Sequence, residues 1–238
     1  MILAIETATA EGAVALLDGP HVRSETELSG GRQQHAGQLL IAIDALLGRH
    51  GAALDQVEGI ALSVGPGSFT GLRIGLATAL GLCFGSARWI VPVPTLAALS
   101  LRAGDGGAAD AEAIVPMLDA RKGQVYTGLY GPNATFRRPD CVVAAGPWLE
   151  TLGSGEFCLV GPGTAVCRAE IERVLGARAR VIGPAQGRPS AAHVGLLGAR
   201  LASEGRARAP REIELQYVRA PEATEKPPAG QPKARDVI

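Results

Sequence analysis

Between Val57 and Phe84 the chain runs from a near-continuous apolar segment, through a loop holding Gly65, Gly67 and Gly71, into a helix with no charge after Arg73. A segment apolar at successive positions is a strand covered on both faces, so Val57–Val64 belongs inside a parallel or mixed sheet. A strand that enters a helix through such a loop presents backbone N–H groups at the positive end of the helix dipole, which suits an anion. The loop Gly65-Pro66-Gly67-Ser68-Phe69-Thr70-Gly71-Leu72-Arg73 is not a Walker A, because no Gly-Lys-Ser/Thr follows. It is not the dinucleotide fingerprint either, since its spacing is Gly-x-Gly-x-x-x-Gly. Two readings stand. Either Gly65, Gly67, Ser68, Thr70, Gly71 and Arg73 form an anion or nucleotide site, or the loop is a tight turn in which Arg73 pairs with a carboxylate.

The rest of the chain alternates in period around this unit. Ile2–Ile5, Gly12–Leu17 and Val22–Leu28 are extended runs joined by Glu11-Gly12 and Asp18-Gly19-Pro20, the turn chemistry of consecutive antiparallel strands. Gln33–Leu47 shifts to helical spacing through Ala36, Leu39, Leu40, Ile43, Leu46 and Leu47, and Gly48 and Gly51 end it. After the Leu72–Phe84 helix come a strand at Trp89–Val93 and a short helix at Leu96–Arg102. The order βββαβαβα predicts an α/β lobe over residues 1–104 with a mixed sheet. Ala103–Ala111 reads as a hinge. A second lobe over 112–188 holds strands at Ala113–Met117, Gln124–Tyr130 and Phe157–Val160, a helix at Val166–Leu175 and a strand at Arg180–Ile182. A helix over 190–204, capped by Ser190, is expected to complete the first lobe. The proline-rich segment 222–238 is expected to be a disordered tail.

Composition narrows the function classes. Lys and Arg total 23 against 23 Asp and Glu, so no global field draws the chain to nucleic acid or an anionic membrane. Any tRNA contact is then local or indirect. Cys83, Cys141, Cys158 and Cys167 form no Cys-x-x-Cys pair and no zinc spacing, and they read as buried thiols of a reducing compartment. Met1–Glu6 has no basic n-region, and no apolar run is long enough to span a bilayer. A soluble, cytoplasmic protein is the expectation.

Glu6 and Thr7 end the first strand, where a carboxylate and a hydroxyl face either a cleft or solvent. His21, His35, His50 and His193 are scattered, with no second ligand at metal spacing, so neither metal nor catalytic residues are assigned. Asp119-Ala120-Arg121-Lys122-Gly123 reads as a solvated hairpin turn. Gly161-Pro162-Gly163 echoes the first loop, a repeat that arises easily in a chain of 32 glycines. The Leu72–Phe84 helix is apolar around nearly its whole circumference, and Gly71, Gly75, Thr78, Ala79 and Leu82 form a mostly small-residue stripe. That helix is either buried between a sheet and a neighbouring helix, or it meets another protein chain.

Read in order, Ile2-Leu3-Ala4-Ile5-Glu6-Thr7-Ala8, His35 leading into Leu39-Leu40, the string Gly65–Gly75 and Asp119-Ala120-Arg121 resemble the TsaB (YeaZ) family. That family serves the bacterial machinery that makes N6-threonylcarbamoyladenosine (t6A) at tRNA position 37. The resemblance covers residues 1–130, and more loosely extends through Tyr217-Val218-Arg219. It implies a two-lobed actin/hexokinase/Hsp70-like (ASKHA) fold and a paralogue of the threonylcarbamoyl transferase TsaD. It further implies a non-catalytic subunit that pairs with TsaD and is joined by the ATPase TsaE. A homodimer formed through the same helices when TsaD is absent is a separate reading. The pairing helices map to Gln33–Leu47 and Leu72–Phe84, with Leu39, Ile43, Leu46, Gly75, Thr78, Ala79 and Leu82 as the expected interface. The transferase's metal-binding His pair aligns with Thr95 and Leu99, which cannot coordinate a metal. No cofactor of its own is implied, with ATP or ADP as the candidate ligand of the loop. Glu6 replaces the family's usual Asp, and His35-Ala36-Gly37 replaces its His-Ser-Glu. The alternative is an autonomous kinase or peptidase-like enzyme of the same superfamily. A peptidase needs a nucleophile with a base, and no such set is visible; a kinase needs magnesium ligands, for which Glu6 is the one candidate.

Overall fold

The apolar run at the start of the chain does become a fully enclosed strand, and the sheet grows outward from it. The computed structural model describes residues 1–28, 35–108, 111–183 and 187–218. The expected helix start at 33–34, part of the hinge and the tail at 222–238 lie outside the described residues. β1 (Ile2–Glu6) is buried at every position. It pairs antiparallel with β2 (Ala13–Asp18) and parallel with β4 (Gly59–Gly65); β3 (His21–Glu27) and β5 (Trp89–Pro94) form the edges, giving the order β3-β2-β1-β4-β5. α1 (His35–Arg49) links β3 to β4, α2 (Phe69–Cys83) links β4 to β5, and α3 (Thr95–Leu101) follows β5.

The second half repeats this plan. β6 (Ile114–Arg121), β7 (Gln124–Gly131), β8 (Thr135–Ala144), β9 (Phe157–Val160) and β10 (Ala179–Val181) form a sheet of order β10-β9-β6-β7-β8. Read from β8 to β10, its pairings are antiparallel, antiparallel, parallel and parallel, as they are from β3 to β5 in the first sheet. α4 (Ala145–Glu150) follows β8, α5 (Gly163–Val166) and α6 (Arg168–Val174) follow β9, and α7 (Ala191–Ser203) follows β10. This duplicated sheet is the ASKHA architecture expected from the resemblance.

Alternation along the strands sets the layers. Leu3, Ile5, Val14, Leu16, Ile60 and Leu62 face α1 and α2. Ile2, Ala4, Ala15, Leu17 and Ala61 face the opposite way, where α3 and α7 join them to Ile114, Leu118 and Cys158 of the second sheet in one continuous core. Val115, Met117, Val125 and Leu159 form a third cluster with α4 and α6. The last helix of each half therefore sits against the other half. α7 packs on the first sheet, where Gly195 and Gly198 bring it down onto Leu17 and Ala61. α3 packs on β6 and β7.

Three elements differ from the sequence expectation. α4 is absent from it, because its six residues hold Gly146 and Pro147 and are too few to show a helical period. β8 was not anticipated, because its segment carries Pro139 and several charges. It is an edge strand, half-exposed along its length, where a missing N–H is tolerated. The single helix expected over Val166–Leu175 is two helices, broken at Cys167, whose φ of −114° and ψ of 30° leave the helical region.

Candidate functional site

A cavity of about 790 Å³ opens between the lobes. Each half contributes its first hairpin and the loop after its fourth strand. The first lobe supplies Ala8–Glu11 and Gly67–Gly71; the second supplies Leu118–Arg121 and Pro162. The Gly-Pro-Gly echo is thus no chance repeat. Gly65 and Gly161 occupy equivalent points, with φ of +117° and +118°. A side chain at Gly65 would meet the Gln216 carbonyl oxygen, and one at Gly161 the Met117 carbonyl oxygen, so glycine is required for both left-handed backbone and close approach.

The first loop is filled from behind by the end of β1. The Ser68 N–H donates to the Ala8 carbonyl at 2.6 Å, and the Ser68 hydroxyl accepts the Gly71 N–H at 3.3 Å as the α2 cap. A Cβ on Gly71 would lie 2.0 Å from the Thr7 carbonyl oxygen, and one on Gly75 2.3 Å from Thr7 Oγ1. Gly67, Ser68, Thr70 and Gly71 line the cavity. Phe69 and Thr70, the first helical residues, have no carbonyl four residues back within the helix to accept their N–H groups.

The other expected site residues lie elsewhere. Glu6 is wholly buried and does not line the cavity. Its even position on β1 turns it toward the α3 and α7 side, with Ala4. Its Oε1 accepts the Ala8 N–H at 2.5 Å, while Oε2 has no partner. Desolvation pushes its carboxyl up to about 7, against the opposing pull of the nearby Ser63 hydroxyl and the Ala8 N–H. Thr7 is equally buried, its hydroxyl unpartnered against Gly75. Arg73 does not reach the cavity. Its guanidinium lies 3.7 Å from the Phe69 ring centroid, and its Nε–H donates to the Tyr217 hydroxyl at 3.3 Å.

The small-residue stripe also turns inward. Gly75 and Ala79 are buried, as are Leu39, Ile43 and Leu46 of α1. They pack in the lobe's own core, while Thr78 and Leu82 are half-buried. The outward residues of the two helices are instead Leu40, Ile41, Leu80 and Phe84, at 52%, 69%, 37% and 91% exposure. Nothing in the hydrophobic periodicity of so uniformly apolar a helix marks which side is out.

Sequence reasoning treated Asp119–Gly123 as a solvated turn. It is a hairpin, but Asp119, Ala120 and Arg121 line the cavity. Arg121 and Lys122 hold φ of 63° and 53°, and the Asp119 carboxylate accepts the Arg121 N–H at 2.7 Å. Non-glycine residues in this region are strained and concentrate at functional sites. Thr95, at the position aligned with a metal ligand, is buried; its hydroxyl accepts the Gly65 N–H at 3.1 Å and pairs with Ser63 at 2.8 Å. Leu99 is a core residue. Among the described residues, no three His, Cys, Asp or Glu side chains group as metal ligands.

One constellation has the residue types of a hydrolase. His193 Nδ1 lies 3.1 Å from Ser190 Oγ, and Nε2 lies 3.5 Å from Asp105. Ser190, however, is buried, caps α7 and donates to Glu25 at 2.9 Å, so its hydroxyl is committed to holding α7 on β3. It lines neither the interlobe cavity nor the smaller one of about 440 Å³ beside Arg180.

A family model described as "TsaD: tRNA N6-adenosine threonylcarbamoyltransferase" matches residues 29–224. The chain is 33% identical over 204 residues to the tRNA threonylcarbamoyladenosine biosynthesis protein TsaB of Bacillus subtilis, spanning 83% of this chain and 86% of that one. It is 37% identical over 125 residues to the protein of the same name from Haemophilus influenzae, spanning 52% and 51%. The solved structure of YeaZ from Pseudomonas aeruginosa superposes with a TM-score of 0.73 at 25% identity, covering 91% of this chain and 98% of that one.

Proposed function

The chain belongs to the TsaB family of tRNA threonylcarbamoyladenosine biosynthesis proteins, and from that premise we propose that it is the non-catalytic subunit that docks on the transferase TsaD and activates it. The observation that carries this reading is the outer face of α1 and α2. Leu40, Ile41, Leu80 and Phe84 expose large apolar surface on adjacent helices, the kind of patch that marks a protein interface. The commitment of Thr95 and Leu99 to the core supports a subunit without metal chemistry, and the committed Ser190 hydroxyl argues against a peptidase.

In this reading TsaE joins the pair, and a homodimer uses the same face when TsaD is absent. The balanced charge of 23 basic and 23 acidic residues leaves tRNA contact indirect or local, in the cytoplasm. ATP or ADP is the subsidiary ligand we assign to the interlobe cavity, which Ser68, Thr70 and Arg121 line.

Reconstitution tests the assignment. tRNA modification by TsaD, TsaE and the adenylate-forming enzyme should require this chain, which alone should yield no modified tRNA. Leu80→Asp and Ile41→Asp should each weaken co-elution with TsaD by roughly 100-fold, as expected for a charge placed in an interface core. Full modification without the chain, or co-elution indifferent to both substitutions, would overturn the reading.

A further inference from the structure

The exposed stripe of α2 is not uniformly apolar. At its N-terminal end, one turn before Ala77, stands Arg73, held in place on two sides. Its guanidinium lies flat against Phe69 at 3.7 Å, and its Nε–H is fixed by the Tyr217 hydroxyl at 3.3 Å. Phe69 and Tyr217 are themselves 5.3 Å apart and remain 42% and 43% exposed. This arginine is stacked and, among the described residues, forms no ion pair with a carboxylate. α2 contains no acidic residue at all, and its own N-terminus adds a second positive contribution within one turn. The edge of the fork left free by this stacking is the one that meets a planar anion bidentately.

We infer that Arg73 is the polar anchor of the docking face and takes a carboxylate of the transferase at the N-terminal end of α2, so that it fixes the register of the pair. The inference rests on the proposed pairing through α1 and α2. A guanidinium covered by a partner without an opposing charge would be costly, so the partner must present an acid there. The continuity of Arg73 with Leu80 and Phe84 along one helix face favours a protein partner, whereas an RNA-binding surface is polar and strongly basic throughout. A second copy of the chain offers a single acid on these helices, Asp44 of α1.

Binding of purified full-length chain to TsaD, measured alongside its self-association, separates these sources. Arg73→Gln should weaken pairing with TsaD about 10-fold and Arg73→Glu about 100-fold, while both variants keep a cooperative melt, since only the contacts to Phe69 and Tyr217 are lost. Asp44→Asn should leave that pairing intact, and one Asp or Glu to Arg change in TsaD should restore binding of the Arg73→Glu chain. If both Arg73 variants bind within about twofold of the parent while Leu80→Asp does not bind, the face stands and the anchor falls. If Leu80→Asp binds as the parent does, the docking face itself is wrong and the inference falls with it. Weakening confined to self-association and shared by Asp44→Asn would assign Arg73 to the homodimer and overturn the proposal. Loss of tRNA retention with TsaD pairing intact would overturn it in favour of RNA.

Discussion

Glu6 is a carboxyl in surroundings that oppose its charge. A carboxyl enclosed at the end of β1 titrates at about 7 rather than at the ordinary 4.5. The unfolded chain therefore ionises first, and the stability gained from a neutral Glu6 is complete below about pH 4.5 and is lost as pH rises through 7. The difference corresponds to about 3 kcal/mol. Urea unfolding at pH 5.5 and 8.5 should show the parent losing about 2 kcal/mol more than Glu6→Gln over that interval, since Asp140, also pushed up to about 6, titrates in both chains. Parallel pH profiles for the two chains would refute the assignment. The sequence revealed that a carboxylate ends the first strand. It could not reveal that the Ala8 amide folds back over it, because that return is set by Ser68 binding the Ala8 carbonyl from a loop sixty residues on.

At the scale of elements, α2 shows what a stripe of small residues can serve. Its small residues do mark a close approach, but the approaching backbone is the end of β1. Gly71→Ala would place a Cβ 2.0 Å from the Thr7 carbonyl oxygen, an atom with no rotamer to escape into. Thermal or urea denaturation should register a loss of about 2–4 kcal/mol, whereas Gly81→Ala, with open space around it, should be neutral or stabilising. Equal effects at the two positions would contradict this packing. Strands β1 and β4 were legible because enclosure on both faces leaves an unbroken apolar signature. β8 was not, since an edge strand with Pro139 carries neither alternation nor an apolar run. The anion-loop residues split along similar lines. Gly67, Ser68, Thr70 and Gly71 follow directly from loop and helix geometry. The outward direction of Arg73 combines a local stack on Phe69 with a hydrogen bond to Tyr217, which no local rule connects to it.

For the whole molecule, the governing fact is the exchange of last helices between two copies of one plan. The repeat escaped sequence reading because only the Gly-Pro-Gly loops retain recognisable identity, while the shared sheet order is a property of pairing rather than of residues. Residues 1–104 alone would leave Ala15, Leu17 and Ala61 uncovered where α7 should lie. That fragment should bind a hydrophobic dye and lack a cooperative melt, and fusing residues 187–218 behind a flexible linker should restore one; a sharp melt of 1–104 alone would count against the exchange. The position of α7 also dictates a timetable. On the ribosome, the first sheet must wait for Ser203 to emerge, roughly 100 residues after its own last strand. At synthesis rates of about 5–20 residues per second, that is a delay on the order of 5–20 s. For that interval the nascent chain carries a bare sheet face, which makes it a client for chaperones before it is a partner for any enzyme.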